Sequence, residues 1–336
     1  MIKPIYILET SVLPHYNSSI ICMKQGNLKI GFFDYDLNLL YSINGFKLRG
    51  MNECHCLLLK ERATYLFCVK EKTFIESYSK LNGSPSLTNK GLILNSRKEA
   101  LLQYFTNTNQ RLEWEINLDF KERLYAFAWS DNILVGNINE VNKKIGIDLR
   151  SGEKLWEVDK NKLELKTTSG YVGNNRFVKG PLLSTNEQEL YSLNSKSGEK
   201  LWHLYLENQL RMTHVIDDEQ MFLFVRHAND IYLSTIDLLT GEILRKELLT
   251  EQIQRLQIYP RRNSGTFGQA SYYNNKLFFG ANNKLVKLDL FTYEMEIVYE
   301  HTAVFYFSKV IGSKLFYSDN NFTTLVFELS NTSQLA

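Results

Sequence analysis

The sequence predicts an all-β fold built from repeated hairpin units, and three observations carry that prediction. The 336 residues include 19 Tyr and 20 Phe, an aromatic content of 13% that suits pleated, half-buried strands. Apolar residues alternate with polar ones in short runs. Segments that end in the same turn recur along the chain at near-constant spacing.

Three segments align readily: KKIGIDLRSGEKLWEVD (143–159), ELYSLNSKSGEKLWHLY (189–205) and DIYLSTIDLLTGEILRKEL (230–248). A fourth, KLVKLDLFTYEMEIVYE (284–300), keeps the pattern without the glycine. Each begins with an alternating apolar run, reaches Asp148, Asn194, Asp237 or Asp289, and turns within four residues into a second run, which describes a β-hairpin. The Asp or Asn oxygen accepts backbone N–H groups two residues on, and Gly152, Gly198 and Gly241 supply the positive φ that closes the corner. Trp156 and Trp202 follow in one register, with area suited to packing between stacked sheets, and Leu fills the adjacent positions, expected to point inward.

The four corner residues stand 46, 43 and 52 residues apart, a period that fits a four-stranded propeller blade rather than a helical solenoid. Upstream runs such as NILVGNI, QMFLFVRH and NKLFFGAN supply further strands. Weaker copies surround Asp34, Lys70, Thr106 (with Trp114) and Glu328. Eight such units give a single β-propeller domain over 1–336 of four-stranded antiparallel blades, with seven blades the alternative, because the stretch 44–100 hides one innermost strand. The last copy, within 301–330, lacks an outer strand. PIYILE at residues 4–9 is expected to supply it and so close the ring by pairing the two chain ends.

Composition excludes several classes. Thirty-nine basic against thirty-seven acidic residues, without a long run of either sign, advertise no nucleic acid or other polyanion. The N-terminal segment lacks the features of a secretory signal and no run is apolar enough to span a membrane, so the expectation is a soluble, cytoplasmic chain that is monomeric by itself. Cys22, Cys54, Cys56 and Cys68 all fall in the first quarter and are expected to behave as small buried apolar residues rather than as a disulfide framework.

The phrase Ile147-Asp148-Leu149-Arg150-Ser151-Gly152-Glu153-Lys154-Leu155-Trp156, and its copy from Leu193 to Trp202, resembles the repeat of the PQQ-like, or quinoprotein alcohol dehydrogenase-like, propeller superfamily. The resemblance implies the fold and not the chemistry, since many members bind no quinone. Members that bind it are longer and exported, with adjacent cysteines and acidic calcium ligands beside the cofactor, whereas here no two cysteines are adjacent, no export signal is expected and the sequence is shorter. The resemblance therefore points to a non-enzymatic member, and no cofactor is expected.

No motif for nucleophilic, phosphate-binding or dinucleotide chemistry is found. Cys54-His55-Cys56 is the most metal-like triplet, but along a strand its middle side chain points away from the other two, so no metal site is expected. Trp129, outside the Trp register, is a candidate to face the central channel. The segment Leu249 to Ser271 accounts for the longest spacing and is expected to form a rim loop, in which Tyr259, Arg261 and Arg262 are residue types enriched at binding hot spots. The functional expectation is a non-catalytic platform for another protein: a scaffold, assembly factor, regulatory subunit or immunity-type antagonist. The alternative is a small-ligand-binding propeller with a site at the channel, with or without catalysis.

Overall fold

The computed structural model describes residues 3–8, 14–25, 28–61, 63–78, 84–88, 90–96, 101–106, 112–118, 124–130, 132–138, 143–163, 174–177, 182–185, 189–206, 209–217, 219–261, 265–321 and 323–329. By contact the chain divides into two compact units: residues 1–48, 209–236 and 243–336, and residues 49–208 with 237–242.

The second unit holds four sheets, each with its strands hydrogen-bonded in chain order: β6 (Lys47–Met51), β7 (His55–Lys60), β8 (Ala63–Cys68) and β9 (Thr73–Tyr78); β10 (Ser84–Leu87), β11 (Gly91–Ser96), β12 (Leu101–Thr106) and β13 (Leu112–Asn117); β14 (Leu124–Trp129), β15 (Ile133–Ile138), β16 (Lys143–Asp148) and β17 (Lys154–Asp159); β18 (Asn174–Phe177), β19 (Leu182–Thr185), β20 (Glu189–Leu193) and β21 (Lys200–Tyr205). The first unit holds β2 (His15–Tyr16), β3 (Ile21–Gln25), β4 (Lys29–Phe33) and β5 (Leu39–Asn44); β22 (Gln209–Ile216), β23 (Gln220–His227), β24 (Asp230–Asp237) and β25 (Ile243–Leu248); β26 (Ser271–Tyr273), β27 (Lys276–Ala281), β28 (Lys284–Asp289) and β29 (Met295–Glu300). Its last sheet runs β1 (Tyr6–Leu8), β32 (Thr324–Glu328), β31 (Lys314–Asp319), β30 (Phe305–Ile311).

These are the eight four-stranded antiparallel blades of a β-propeller, and seven is excluded. The stretch 44–100 holds two first strands, β6 and β10, both short, whose sequences KLRGM and SPSL carry too few apolar residues to alternate visibly, which is why an innermost strand was hidden there. The chain ends pair as expected: Tyr6, Ile7 and Leu8 oppose Val326, Leu325 and Thr324, and Ile5 N–H reaches the Val326 carbonyl at 2.7 Å. The unit around Glu328 is thus no hairpin, since its fourth strand is β1.

The corners follow from local chemistry. Asp148 Oδ1 accepts the N–H groups of Arg150 and Ser151 at 2.7 and 3.0 Å; Asn194, Asp237 and Asp289 accept the equivalent pairs. The Thr240 and Leu239 N–H groups on the Asp237 carboxylate lower its pKa, with the Thr240 hydroxyl adding to the effect. Gly152, Gly198 and Gly241 sit at φ +76, +75 and +74°.

The indoles explain why the corners recur. Trp114, Trp156 and Trp202 are buried, and their Nε1–H groups donate to the carbonyls of Leu149, Ser195 and Leu238, at 2.9, 2.8 and 3.0 Å. Each acceptor is the residue after the corner Asp or Asn of the following blade. Each ring also lies against that corner's glycine, where a Cβ would stand 2.6 to 2.8 Å from the indole. The tryptophan therefore staples its blade to the next one, which places the corner 237–242 with the second unit.

At Asp289 the glycine's place is taken by Tyr293, at φ +59°, and the tryptophan's place on the preceding blade by Arg245, whose guanidinium lies over the Tyr293 ring at 4.0 Å. One stacked pair has replaced another.

One expectation needs correction. Leu155 and Leu201 are 44% and 47% exposed rather than inward. The ladder shifts between Gly146 and Ile147, and between Ser192 and Leu193, so that Trp156 and Lys154 face consecutive residues and Leu155 is the extra residue of a bulge. The same shift leaves Leu40, Ile75 and Leu244 outside the alternation, and all are exposed.

Candidate functional site

The segment 249–271 in the first unit carries the sequence-predicted binding residues, and buried residues anchor it in the core on either side of them. Leu249, Ile253 and Ile258 are buried at 0, 5 and 0% exposure; Ile253 lies on the short helix α1 (Thr250–Arg255), which Leu249 precedes and Ile258 follows. Leu249 N–H bonds the Ile231 carbonyl, Thr250 Oγ1 accepts the Ile231 N–H, and the Gln252 side chain bridges Tyr293 O and Met295 N. Lys284 Nζ holds the carbonyls of Leu256 and Gln257 at 3.2 and 3.3 Å. Phe267 is buried between Phe224 and Phe279, with ring centroids 5.8 and 4.9 Å away. The rim loop expected over 249–271 is therefore partly a core-anchored helix, and of its expected binding residues the described ones are Tyr259 and Arg261.

Within that stretch Tyr259 is 61% exposed. Arg261 is half-buried: its N–H bonds the Thr266 carbonyl, its Nη2 donates to Thr266 Oγ1 at 2.7 Å, and its guanidinium lies over the Tyr306 ring at 4.6 Å. Arg262 lies outside the described residues. The structure thus gives one aromatic side chain to solvent and holds one guanidinium on a ring face, both on a segment anchored from below. Sequence reading missed Arg226, whose guanidinium reaches the same turn from the end of β23: a Cβ on Gly265 would stand 3.5 Å from its Nη2. The only signal was the Arg at the end of the QMFLFVRH strand.

Other candidates fall elsewhere. His55 and Cys56 are buried with Cys22 and Cys68, and burial pushes the His55 pKa down. Cys54 is exposed, contrary to expectation, because it stands in the turn that Asn52 Oδ1 caps through the Cys54 and His55 N–H groups. Among the described residues no three His, Cys, Asp or Glu side chains approach as a metal site. Trp129, on the first strand β14, packs half-buried against the cluster of Leu124, Leu134 and Ile147.

First strands β2 and β30 bring His15, Tyr16 and Lys309 together. Lys309 Nζ donates to the Pro14 carbonyl at 3.1 Å and lies over the Tyr16 ring at 4.5 Å; burial lowers its pKa. Burial first, and the Lys309 charge second, push the His15 pKa down from 6.5 to about 4. Between those values the unfolded chain binds more protons than the folded one, so stability is lost as pH falls from about 6.5 to about 4 and then levels. His15→Gln should remove about 2 kcal/mol of that loss. Denaturant midpoints of the two proteins at pH 7 and pH 4.5 measure it, since carboxylate contributions are common to both.

No family model matches the chain, and no curated protein matches it in sequence. Solved structures do match in fold. BamB from Moraxella catarrhalis superposes with a TM-score of 0.63 at 7% identity over 98% of this chain and 100% of its own. The computationally designed Ika8 protein gives 0.68 at 10% identity over 97% and 99%. The dihydro-heme d1 dehydrogenase NirN, in complex with DHE, gives 0.58 at 12% over 85% of this chain and 65% of its own. At such identities the likeness shows the fold alone, and a protein of the β-propeller class is what fold and comparison together define. No helix among the described residues is long and apolar enough to cross a membrane.

Proposed function

We propose that this chain is a non-catalytic, cytoplasmic protein-binding platform, a member of the PQQ-like repeat class that carries no quinone. One observation carries the reading: Tyr259 is 61% exposed on a segment whose underside is fixed by Leu249, Ile253, Ile258 and Phe267. An aromatic anchor held on a rigid base loses little conformational entropy on docking, which is how a few residues come to dominate an interface. Arg261, stacked on Tyr306, adds an oriented cation beside it. A photo-crosslinking amino acid placed at position 259 in cells is expected to give one discrete protein adduct, weakened at least fivefold by Arg261→Ala. The same group at exposed Phe291 serves as control. No adduct at 259 beyond that seen at 291 would remove this surface.

A small-ligand reading has its own support in Lys309, half-buried beside His15 with a carbonyl and a ring as partners. Native mass spectrometry of the purified chain separates the two: a retained low-mass species lost in Lys309→Met supports the ligand.

A further inference from the structure

Resting on the protein-binding reading, we infer that Arg226 and Arg261 form a two-guanidinium clamp for an acidic segment of the partner protein. The two residues are 35 positions apart in sequence and arrive from different elements, the end of β23 and the segment after α1. They arrive at neighbouring residues: the Arg226 Nη2 and Nη1 atoms lie 3.5 and 3.9 Å from where a Gly265 Cβ would be, and the Arg261 Nη2 bonds Thr266 Oγ1 at 2.7 Å. Gly265 is at φ +63°, a backbone conformation that favours glycine, and the Arg226 guanidinium lies at van der Waals distance from it.

The Arg261 fork is oriented but not saturated. Its Nη2 is used by Thr266 Oγ1 and its Nε makes only a 3.4 Å approach to the Thr266 carbonyl, while the Tyr306 face fixes the plane. Among the described residues nothing takes the Nη1 donors, and a planar fork held in place favours two-point recognition of a carboxylate. Among the described residues no carboxylate pairs with Arg226 or Arg261. Acidic groups on neighbouring elements are engaged: Asp230 with Thr250, Asp319 with His301, Glu300 with Lys284. Two guanidiniums without a carboxylate partner among the described residues, with exposed Tyr259 two residues before Arg261 and half-exposed Phe307 against the Tyr306 ring, call for negative charge flanked by apolar surface. An acidic protein segment supplies both. A nucleic acid needs a longer basic stripe than two residues in a chain of formal charge +2.

The probe is a fluorescein-labelled peptide, Gly-Glu-Glu-Tyr-Glu-Glu-Gly, read by anisotropy at physiological salt against its glutamine counterpart and a twelve-nucleotide DNA single strand. The acidic peptide is expected to bind at least tenfold tighter than either. Arg226→Gln and Arg261→Gln should each weaken it about tenfold. Arg226→Lys, which keeps charge and bulk and so keeps the fold, should fail to restore affinity. Arg176→Gln, at an exposed site in the other unit, should change nothing. Equal binding of the glutamine peptide, tighter binding of the DNA strand, or full affinity in Arg226→Lys overturns the clamp. If the clamp fails while position 259 still crosslinks a protein, the platform reading stands without it. If the peptide binds at the clamp and no protein crosslinks, the platform reading is what fails.

Discussion

Trp156→Ala should cost the folded chain about 3–5 kcal/mol, the range for removing a large buried aromatic side chain. The indole is 7% exposed and fills the space between two glycines: a Cβ on Gly146, its cross-strand partner, would stand 2.3 Å from Nε1, and one on Gly198 2.6 Å from Cε3. Neither glycine has a side chain to fill that gap, so the cavity is only partly refilled. The substitution also takes the donor from the Ser195 carbonyl, to which Trp156 Nε1–H bonds at 2.8 Å. Trp156→Phe keeps most of the ring and loses the bond, so its cost should be about 1–2 kcal/mol. Urea unfolding followed by far-ultraviolet circular dichroism reads both without relying on the indole's own fluorescence. A loss under about 1 kcal/mol for the alanine variant would mean that the corners hold themselves and that the indole is not their staple.

That staple also explains how much of the fold was legible. Asp148, Asn194, Asp237 and Asp289 declare their corners because the hydrogen bonds they make are two and three residues away, and such chemistry is written locally. The pairing of Tyr6–Leu8 with β32 was legible for a different reason: a repeat short of one strand has to find it at the other end of the chain. What escaped was set by partners distant in sequence. Leu155 and Leu201 alternate as inward residues in the sequence, and only the bulge opposite Ile147 and Leu193 turns them out. Arg245 and Tyr293 gave no sign of replacing a Trp and a Gly, because neither residue type belongs to the repeat and the pair is read only across two blades. In the candidate site Tyr259 and Arg261 were picked by residue type. The buried underside of Leu249, Ile253 and Ile258 was not legible, because its spacings of four and five fit neither a strand nor one face of a helix. Arg226 belongs to the site through Gly265, 39 residues on, which strand alternation does not report.

Gly198→Ala should cost about 2–5 kcal/mol, and the way that cost divides tests the staple from its other side. Residue 198 sits at φ +75°, where an L side chain adds about 1–2 kcal/mol of backbone strain. The new methyl would meet Trp156 Cε3 and Cδ2 at 2.6 and 2.7 Å and Val158 Cγ2 at 2.9 Å, an overpacking that adds about 1–3 kcal/mol because the indole is pinned by its bond to Ser195. In the double variant with Trp156→Ala most of the clash disappears and the backbone term stays. The two substitutions should therefore fall short of additivity by about 1–3 kcal/mol. Tyr293 shows that the backbone term alone is tolerated: it occupies the same corner position at φ +59°, and it faces the Arg245 guanidinium where Gly198 faces an indole. Additive costs would mean that glycine is required at the corner for its φ alone, and the contact with the neighbouring blade's tryptophan would then be a by-product of the turn.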